Sequence, residues 1–230
     1  MMNGVAIQNG SFRRSFDRAG AKNVSVGFDG LAGAIELTGT RKWLTQNTEV
    51  YGEEEPADYF YKVVSGVVRA YKLVIDGRRL VGAFHLPGDI FGLEANGRHL
   101  FSTDAVVDAE ILVVSRDAVM SLAERDNDVA RDLWALTAGE LQRAQSRMLL
   151  LNRRAPERVA SFLLEMAERI ESNNEVHLAM SRQDVADYLG LTSETISRML
   201  TQLENASAIA LTNCRRIVLR DRPRLKRMVS

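Results

Sequence analysis

Apolar positions along the chain follow two periods in succession. From Phe28 to about Ser115, short β-branched and aromatic runs recur: Tyr59-Phe60-Tyr61-Lys62-Val63-Val64, Val67 to Val74, and Leu80 to Phe84. Ser65-Gly66, Asp76-Gly77 and Pro87-Gly88-Asp89 punctuate them. Short strands with turns at this spacing predict an antiparallel sandwich or barrel. Asp76-Gly77 predicts a two-residue hairpin loop, because glycine tolerates the positive φ that such a turn needs. The glycines at Gly27, Gly30 and Gly33 precede no capped helix and read as loop.

After Ser115 the period becomes helical. Val129, Leu133, Leu136, Leu141, Met148 and Leu151 form one stripe, which predicts a single helix over about 126–151. Its length, ~39 Å, exceeds what a small domain needs for its own core. The stripe fits either a helix packed along the β domain or, the better fit, a seam between two copies of the chain. Thr137, Ala138 and Gly139 interrupt the heptad, and close helix approach would explain Gly139. Pro156 then fits the first turn of a new helix, with Val159, Phe162, Leu163 and Met166 on its apolar face. Four regions follow: a flexible tail over 1–27, a β domain over 28–122, a dimerisation helix over 123–152 and a C-terminal domain over 153–230.

Composition narrows the function. The chain has 230 residues, with 30 Lys+Arg balanced by 30 Asp+Glu, so any basic surface is local. The single cysteine, Cys214, excludes an internal disulfide and a four-thiolate iron–sulfur cluster. Three histidines, His85, His99 and His177, leave little for a metal site. No stretch approaches the ~20 apolar residues of a membrane span, and no signal peptide is visible. The expectation is a cytoplasmic protein with a reduced thiol, no cofactor and no membrane contact.

The chemistry concentrates between Ser181 and Leu203. Ser181 is a good N-cap for a helix through Leu189, with Asp184 at its third position. Gly190 ends that helix as a left-handed glycine, Leu191 fills the turn and Thr192 caps a second helix. There Ile196, Leu200 and Leu203 make an inner face, while Ser193, Glu194, Ser197 and Arg198 lie opposite. Two short helices joined by a glycine turn form the helix-turn-helix pattern, whose second helix enters the major groove of duplex DNA. Arg198 suits the O6 and N7 acceptors of guanine, Glu194 the amino group of cytosine, and Ser197 a smaller contact. The pair Glu194 and Arg198 could also orient each other as i, i+4 neighbours.

The flanks read as a wing. Ala208 to Leu211 and Arg215 to Leu219 form a hairpin across Thr212-Asn213-Cys214. Arg215 and Arg216, with Thr192, Ser181 and Arg182 at the helix starts, complete the candidate DNA-binding set, suited to phosphate contact. Beyond Asp221, the run of Arg222, Arg224, Lys226 and Arg227 reads equally as a solvated tail. Cys214 stands beside two arginines that favour its thiolate. It reads as an incidental turn residue or as a redox brake on DNA binding.

The order of β-roll, long helix and winged helix-turn-helix resembles the Crp/Fnr family of bacterial transcription regulators. The marks are Ser65-Gly66-Val67-Val68, Pro87-Gly88-Asp89-Ile90-Phe91-Gly92, and Gly190-Leu191-Thr192-Ser193-Glu194-Thr195-Ile196-Ser197-Arg198. The resemblance implies an α+β fold: a cyclic-nucleotide-binding-like antiparallel β-roll, a dimerisation helix and a winged helix-turn-helix. Glu194-x-x-Ser197-Arg198 resembles the recognition triplet of the Fnr branch, which implies the palindrome TTGAT-N4-ATCAA. Ser193 departs from the arginine of the catabolite-activator branch. No cysteine precedes Cys214, so Fnr's N-terminal cluster has no ligands. Leu93 follows Gly92 where the cyclic-AMP binders carry Glu, with Glu94 one place on, and His99-Leu100 replaces their Arg-Ser. The match falls to the FixK-like branch.

That branch implies a homodimeric activator of low-oxygen, denitrification or nitrogen-fixation genes. It would touch RNA polymerase through the turns at 171–176 and 76–79. The alternatives are a cyclic-nucleotide- or haem-responsive regulator of the same fold, a cupin-like oxygenase and a pure dimerisation module. The oxygenase lacks a two-histidine signature, and the dimerisation module leaves Glu194 and Arg198 without a role.

Overall fold

The computed structural model describes residues 29–170 and 174–229, so the expected tail lies outside the described residues. The first element corrects the sequence reading. Asp29–Thr38 is a helix, α1, not loop. Leu31 and Ile35, one turn apart, are fully buried and bind α1 to the roll. The Leu31 amide donates to Asp132 Oδ2 at 3.1 Å, so the long helix supplies an anion to the N-terminus of α1.

Among the described residues the β-roll has eight strands: β1 (Thr40–Leu44), β2 (Glu49–Tyr51), β3 (Tyr59–Ser65), β4 (Val68–Leu73), β5 (Arg79–His85), β6 (Ile90–Phe91), β7 (Ser102–Ala105) and β8 (Ala109–Ser115). They form two four-stranded sheets, ordered β1-β8-β3-β6 and β2-β7-β4-β5. Gly66 joins β3 to β4 at φ +81°, and a Cβ there would lie 2.4 Å from the Asp108 carbonyl oxygen. Only glycine fits. The β4–β5 loop differs from the two-residue expectation. The Gly77 amide donates to the Val74 oxygen, the Val74 amide donates to the Arg78 oxygen, and Gly77 takes the positive φ. The loop therefore spans 74–78.

Helix α2 (Arg116–Ala123) leads into α3 (Asn127–Leu150), which is capped by the Asp126 carboxylate. The apolar stripe of α3 divides. Val129 is buried, and Leu133 and Leu136 pack on the roll. Leu141 and Met148 are 60% and 64% exposed. A Cβ on Gly139 would meet nothing within 4 Å among the described residues.

The C-terminal domain comprises α4 (Ala155–Arg169), β9 (Glu175–His177), α5 (Arg182–Leu189), α6 (Ser193–Asn205), β10 (Ile209–Leu211), β11 (Arg216–Leu219) and α7 (Arg222–Val229). Its sheet is ordered β10-β11-β9. Two expectations are corrected. Val176, assigned to a polymerase-contacting turn, is a buried residue of β9. The run after Asp221, readable as a solvated tail, is a helix anchored by the fully buried Leu225. One apolar cluster crosses between the domains. Val81, Phe84, Leu86 and Val106 of the roll join Phe162, Tyr188 and Leu189 of the C-terminal domain.

Candidate nucleic-acid interface

The helix-turn-helix is built from local bonds. Ser181 Oγ accepts from the Asp184 amide at 3.1 Å, while Asp184 Oδ2 accepts from the Ser181 amide at 3.0 Å and hydroxyl at 2.7 Å. This reciprocal cap starts α5. Gly190, at φ 63°, closes it, and the Leu191 amide returns to the Ala186 oxygen at 3.0 Å. Thr192 Oγ1 then accepts from the Thr195 amide at 3.2 Å and starts α6. Ile196, Met199, Leu200 and Leu203 bury the inner face.

The outer face of α6 presents Glu194, Ser197 and Arg198 to solvent, with Ser193 half-buried beside them. Arg198 makes no hydrogen bond or ion pair among the described residues, so the possible pair with Glu194 is not formed. The Glu194 carboxylate accepts from the Ser193 hydroxyl at 3.2 Å. Its own backbone amide, with the Thr192 and Ser193 hydroxyls, holds it below the usual carboxylate range. Both side chains thus face outward from the N-terminal half of one helix.

The wing orders its arginines by an Asx turn. Asn213 Oδ1 accepts from the amides of Arg215 and Arg216 at 2.9 and 2.7 Å. Arg216 also pairs with Glu175 across the sheet, Nε to Oε1 at 2.6 Å. Cys214 is exposed at the tip. The other candidates are partly committed. The Ser181 hydroxyl proton is spent on Asp184. Among the described residues one guanidinium nitrogen of Arg182, Nη1, is buried without a hydrogen-bond partner, and Arg182 lines a small cavity with Phe162, Leu200 and Cys214.

Rings fill the centre of the β-roll. Tyr51 stacks on His99 at 3.5 Å and Tyr61 on Phe91 at 5.1 Å, and His85 stacks on the same Phe91 at 4.6 Å. Burial raises the Tyr51 phenol and lifts that of Tyr61 to about 12. Glu94 turns inward and its Oε2 lies 3.3 Å from His99 Nδ1. Arg98, beside His99, turns outward and donates to the Glu54 oxygen at 2.5 Å.

Sequence reasoning missed one set of residues altogether. Arg79, assigned to an exposed polymerase-contacting turn, instead faces α5. Arg79 Nη2 donates to Asp184 Oδ1 at 2.5 Å, and its Nε donates to Asp187 Oδ2 at 2.9 Å. Arg69, in β4, reaches the same Asp184 oxygen at 2.5 Å and Asp104 at 2.7 Å. An arginine inside the apolar run Val67-Val68-Arg69-Ala70 is the signal that points to a buried ion pair. Among the described residues no cluster of three or more potential metal ligands occurs, and no helix is long and apolar enough to cross a membrane.

Residues 41–126 match the cyclic nucleotide-binding domain family, and residues 157–228 match the Crp-like helix-turn-helix domain family. The chain is 48% identical to the nitrogen fixation regulation protein FixK of Azorhizobium caulinodans, over 86% of this chain and 83% of that protein. It is 40% identical to FixK of Rhizobium meliloti, over 86% of this chain and 92% of the relative. The solved structure of FixK2 from Bradyrhizobium japonicum superposes with a TM-score of 0.81 at 49% identity, covering 84% of this chain and 98% of that one.

Proposed function

Because the chain belongs to the Crp/Fnr family of transcription regulators, with FixK proteins among its near relatives, we propose that it binds the palindrome TTGAT-N4-ATCAA as a homodimer. On this reading it activates low-oxygen, denitrification or nitrogen-fixation genes. The carrying observation is Arg198, exposed and without a hydrogen bond or ion pair among the described residues, on the outer face of α6 beside Glu194.

Arg198 and Glu194 read the central G·C pair of each half-site, through guanine O6/N7 and cytosine N4, and Ser197 contacts the neighbouring thymine. Ser193 and Thr192 line the helix start. Arg215, Arg216 and Arg182, with the start of α5 at Ser181, lie against phosphates, which supply affinity and salt dependence rather than sequence. Two copies joined along α3 set the α6 helices about one helical turn, ~34 Å, apart. The exposed tip of the β4–β5 hairpin, from Ile75 to Arg78, is the surface left for RNA polymerase. The rival reading, a regulator responsive to cyclic nucleotide or haem, has less support. Tyr51, Tyr61, Phe91 and His99 pack together inside the roll, and the sequence carries His99-Leu100 where the cyclic-AMP binders have the Arg-Ser that holds the phosphate.

The test is fluorescence anisotropy of the aerobically purified protein, without added ligand, on the TTGAT-N4-ATCAA duplex. The controls are a duplex with the central G·C pairs inverted and the Arg198→Ala variant. Losing the bidentate pair should cost ~1–3 kcal/mol. Equal affinity for all duplexes rejects the reading.

A further inference from the structure

A palindrome is read only if the two recognition helices are held at the right separation and tilt. That geometry depends on how each C-terminal domain is fixed to its own roll. We infer that the ion cluster Arg69–Asp104–Asp184–Arg79–Asp187 is the device that fixes it, so Arg69 and Arg79 are positioning residues that set the half-site spacing the protein accepts. The inference rests on the DNA-binding reading above.

The carboxylate of Asp184 has two tasks at once. Oδ2 closes the α5 cap with Ser181, while Oδ1 receives Arg69 Nη1 and Arg79 Nη2 from two neighbouring strands of the roll. The residue that starts the first helix of the helix-turn-helix is therefore also its attachment point. Asp187, one turn further along the same face, takes Arg79 Nε at 2.9 Å and is steadied by Gln183 Nε2 at 2.6 Å. The Arg79 fork thus grips two points along the axis of α5 and opposes rotation as well as translation. Arg69 is anchored in turn: its Nη2 donates to Asp104 Oδ2 of β7 at 2.7 Å, and its Nε forms an ion-pair contact with Oδ1 at 2.7 Å. Burial disfavours the Arg69 charge, but the two aspartates outweigh it and its pKa is raised.

The choice of ions follows from what apolar contact cannot do. Phe84 and Tyr188, with ring centroids 5.2 Å apart, hold the domains together without regard to direction. A planar guanidinium on two carboxylates fixes direction, and buried ion pairs contribute little net stability. Orientation then passes from α5 to α6 through the Gly190 turn and the packing of Ile196 and Leu200. Removing one ion leaves the apolar contact intact, so the domain stays folded and attached but tilts more freely.

The experiment uses the full chain on duplexes whose half-sites are separated by three, four, five or six base pairs. The wild type should prefer one spacing by at least about tenfold. Arg79→Gln and Asp187→Asn should each compress that preference to within about threefold, Arg79→Lys should recover part of it, and the double variant should resemble Arg79→Gln. A purely structural role lowers affinity for every spacer alike and leaves the ratio untouched, which overturns the inference. A second arm needs no DNA. Spin labels at Leu37→Cys and Gln202→Cys in a Cys214→Ser background, diluted with unlabelled protein, report the distance between the domains. Arg79→Gln should broaden that distribution, and an unchanged distribution overturns the inference even where the wild type reads a different site. A wild type that binds no palindrome, with a distribution that broadens in the variant, rejects the DNA reading alone.

Discussion

The guanidinium carbon of Arg147 in α3 lies 4.4 Å from the centroid of the Tyr188 ring in α5. The same side chain donates to the carbonyl oxygens of Val81 and Gly82 in β5, and to that of Tyr188 at 3.3 Å. One residue thus ties the long helix, the roll and the DNA-reading domain together. Its burial lowers its pKa, a cost offset by the ring face and the three carbonyls. Lysine keeps the charge but has no planar fork. Arg147→Lys should therefore lower unfolding stability by ~1–3 kcal/mol in urea titration. A midpoint equal to wild type would show that the carbonyls find other donors.

Legibility in the sequence followed range. The helix-turn-helix was readable because its determinants are neighbours: Ser181 with Asp184, Gly190 with Ala186, Thr192 with Thr195. Strands β3, β4 and β5 were readable from their β-branched runs. Helix α1 was hidden because Gly30 and Gly33 dilute a face that only two residues, Leu31 and Ile35, define. Helix α7 was hidden because its charges outnumber its one buried anchor, Leu225. The ion cluster was unreadable for a different reason. Arg69 and Asp184 stand 115 positions apart, and no local period links them. Arg79 followed a loop that looked shorter than it is, so it read as exposed.

His85 gives a pH dependence of defined sign. Its ring lies buried against Phe91, and desolvation lowers its pKa from the ordinary 6.5, with Arg169 and Arg143 adding to that and Asp89 and Glu140 opposing it. Below about 6.5 the unfolded chain takes up this proton while the native protein does not. The His85 contribution is therefore full above that pH and is lost as pH falls toward the depressed native value. The slope is at most about 1.4 kcal/mol per pH unit. His85→Phe keeps the stack and removes the titration, so its stability should fall less between pH 7 and pH 5.5. His177, whose pKa is also lowered by burial and then by Arg216 and Arg215, remains in both proteins and cancels in the difference. Parallel curves for the two proteins would assign the slope to other groups.

The free half of α3 predicts assembly. Trp134, Leu141 and Met148 stand at seven-residue steps and are 75%, 60% and 64% exposed, while Val129 is buried in the roll. Such a stripe on one helix fits a second copy packed alongside. Leu141→Glu places a charge in the middle of that seam and touches nothing in the core of the monomer. It should sediment as a monomer with an unchanged far-UV spectrum. Its affinity for the palindrome should fall ~100-fold or more, since the second half-site no longer binds from the same particle. A dimer of undiminished strength would move the interface elsewhere.

Arg198 and Arg215 should fail in different ways when removed. Arg198 is exposed on α6 and has no hydrogen bond or ion pair to lose among the described residues, so Arg198→Ala should cost ~1–3 kcal/mol on the matched duplex and almost nothing on one with the G·C pair inverted. Sequence preference collapses while the dependence of log affinity on log salt changes little. Arg215 lies in the wing, held by the Asn213 turn. Arg215→Ala should weaken binding to every duplex alike and make the salt slope shallower by about 0.9 for each phosphate no longer neutralised, hence about 1.8 for the dimer. Anisotropy titrations of both variants on both duplexes, at several salt concentrations, separate base reading from phosphate binding. Sequence preference that disappears with Arg215 and survives without Arg198 would exchange the roles of helix and wing.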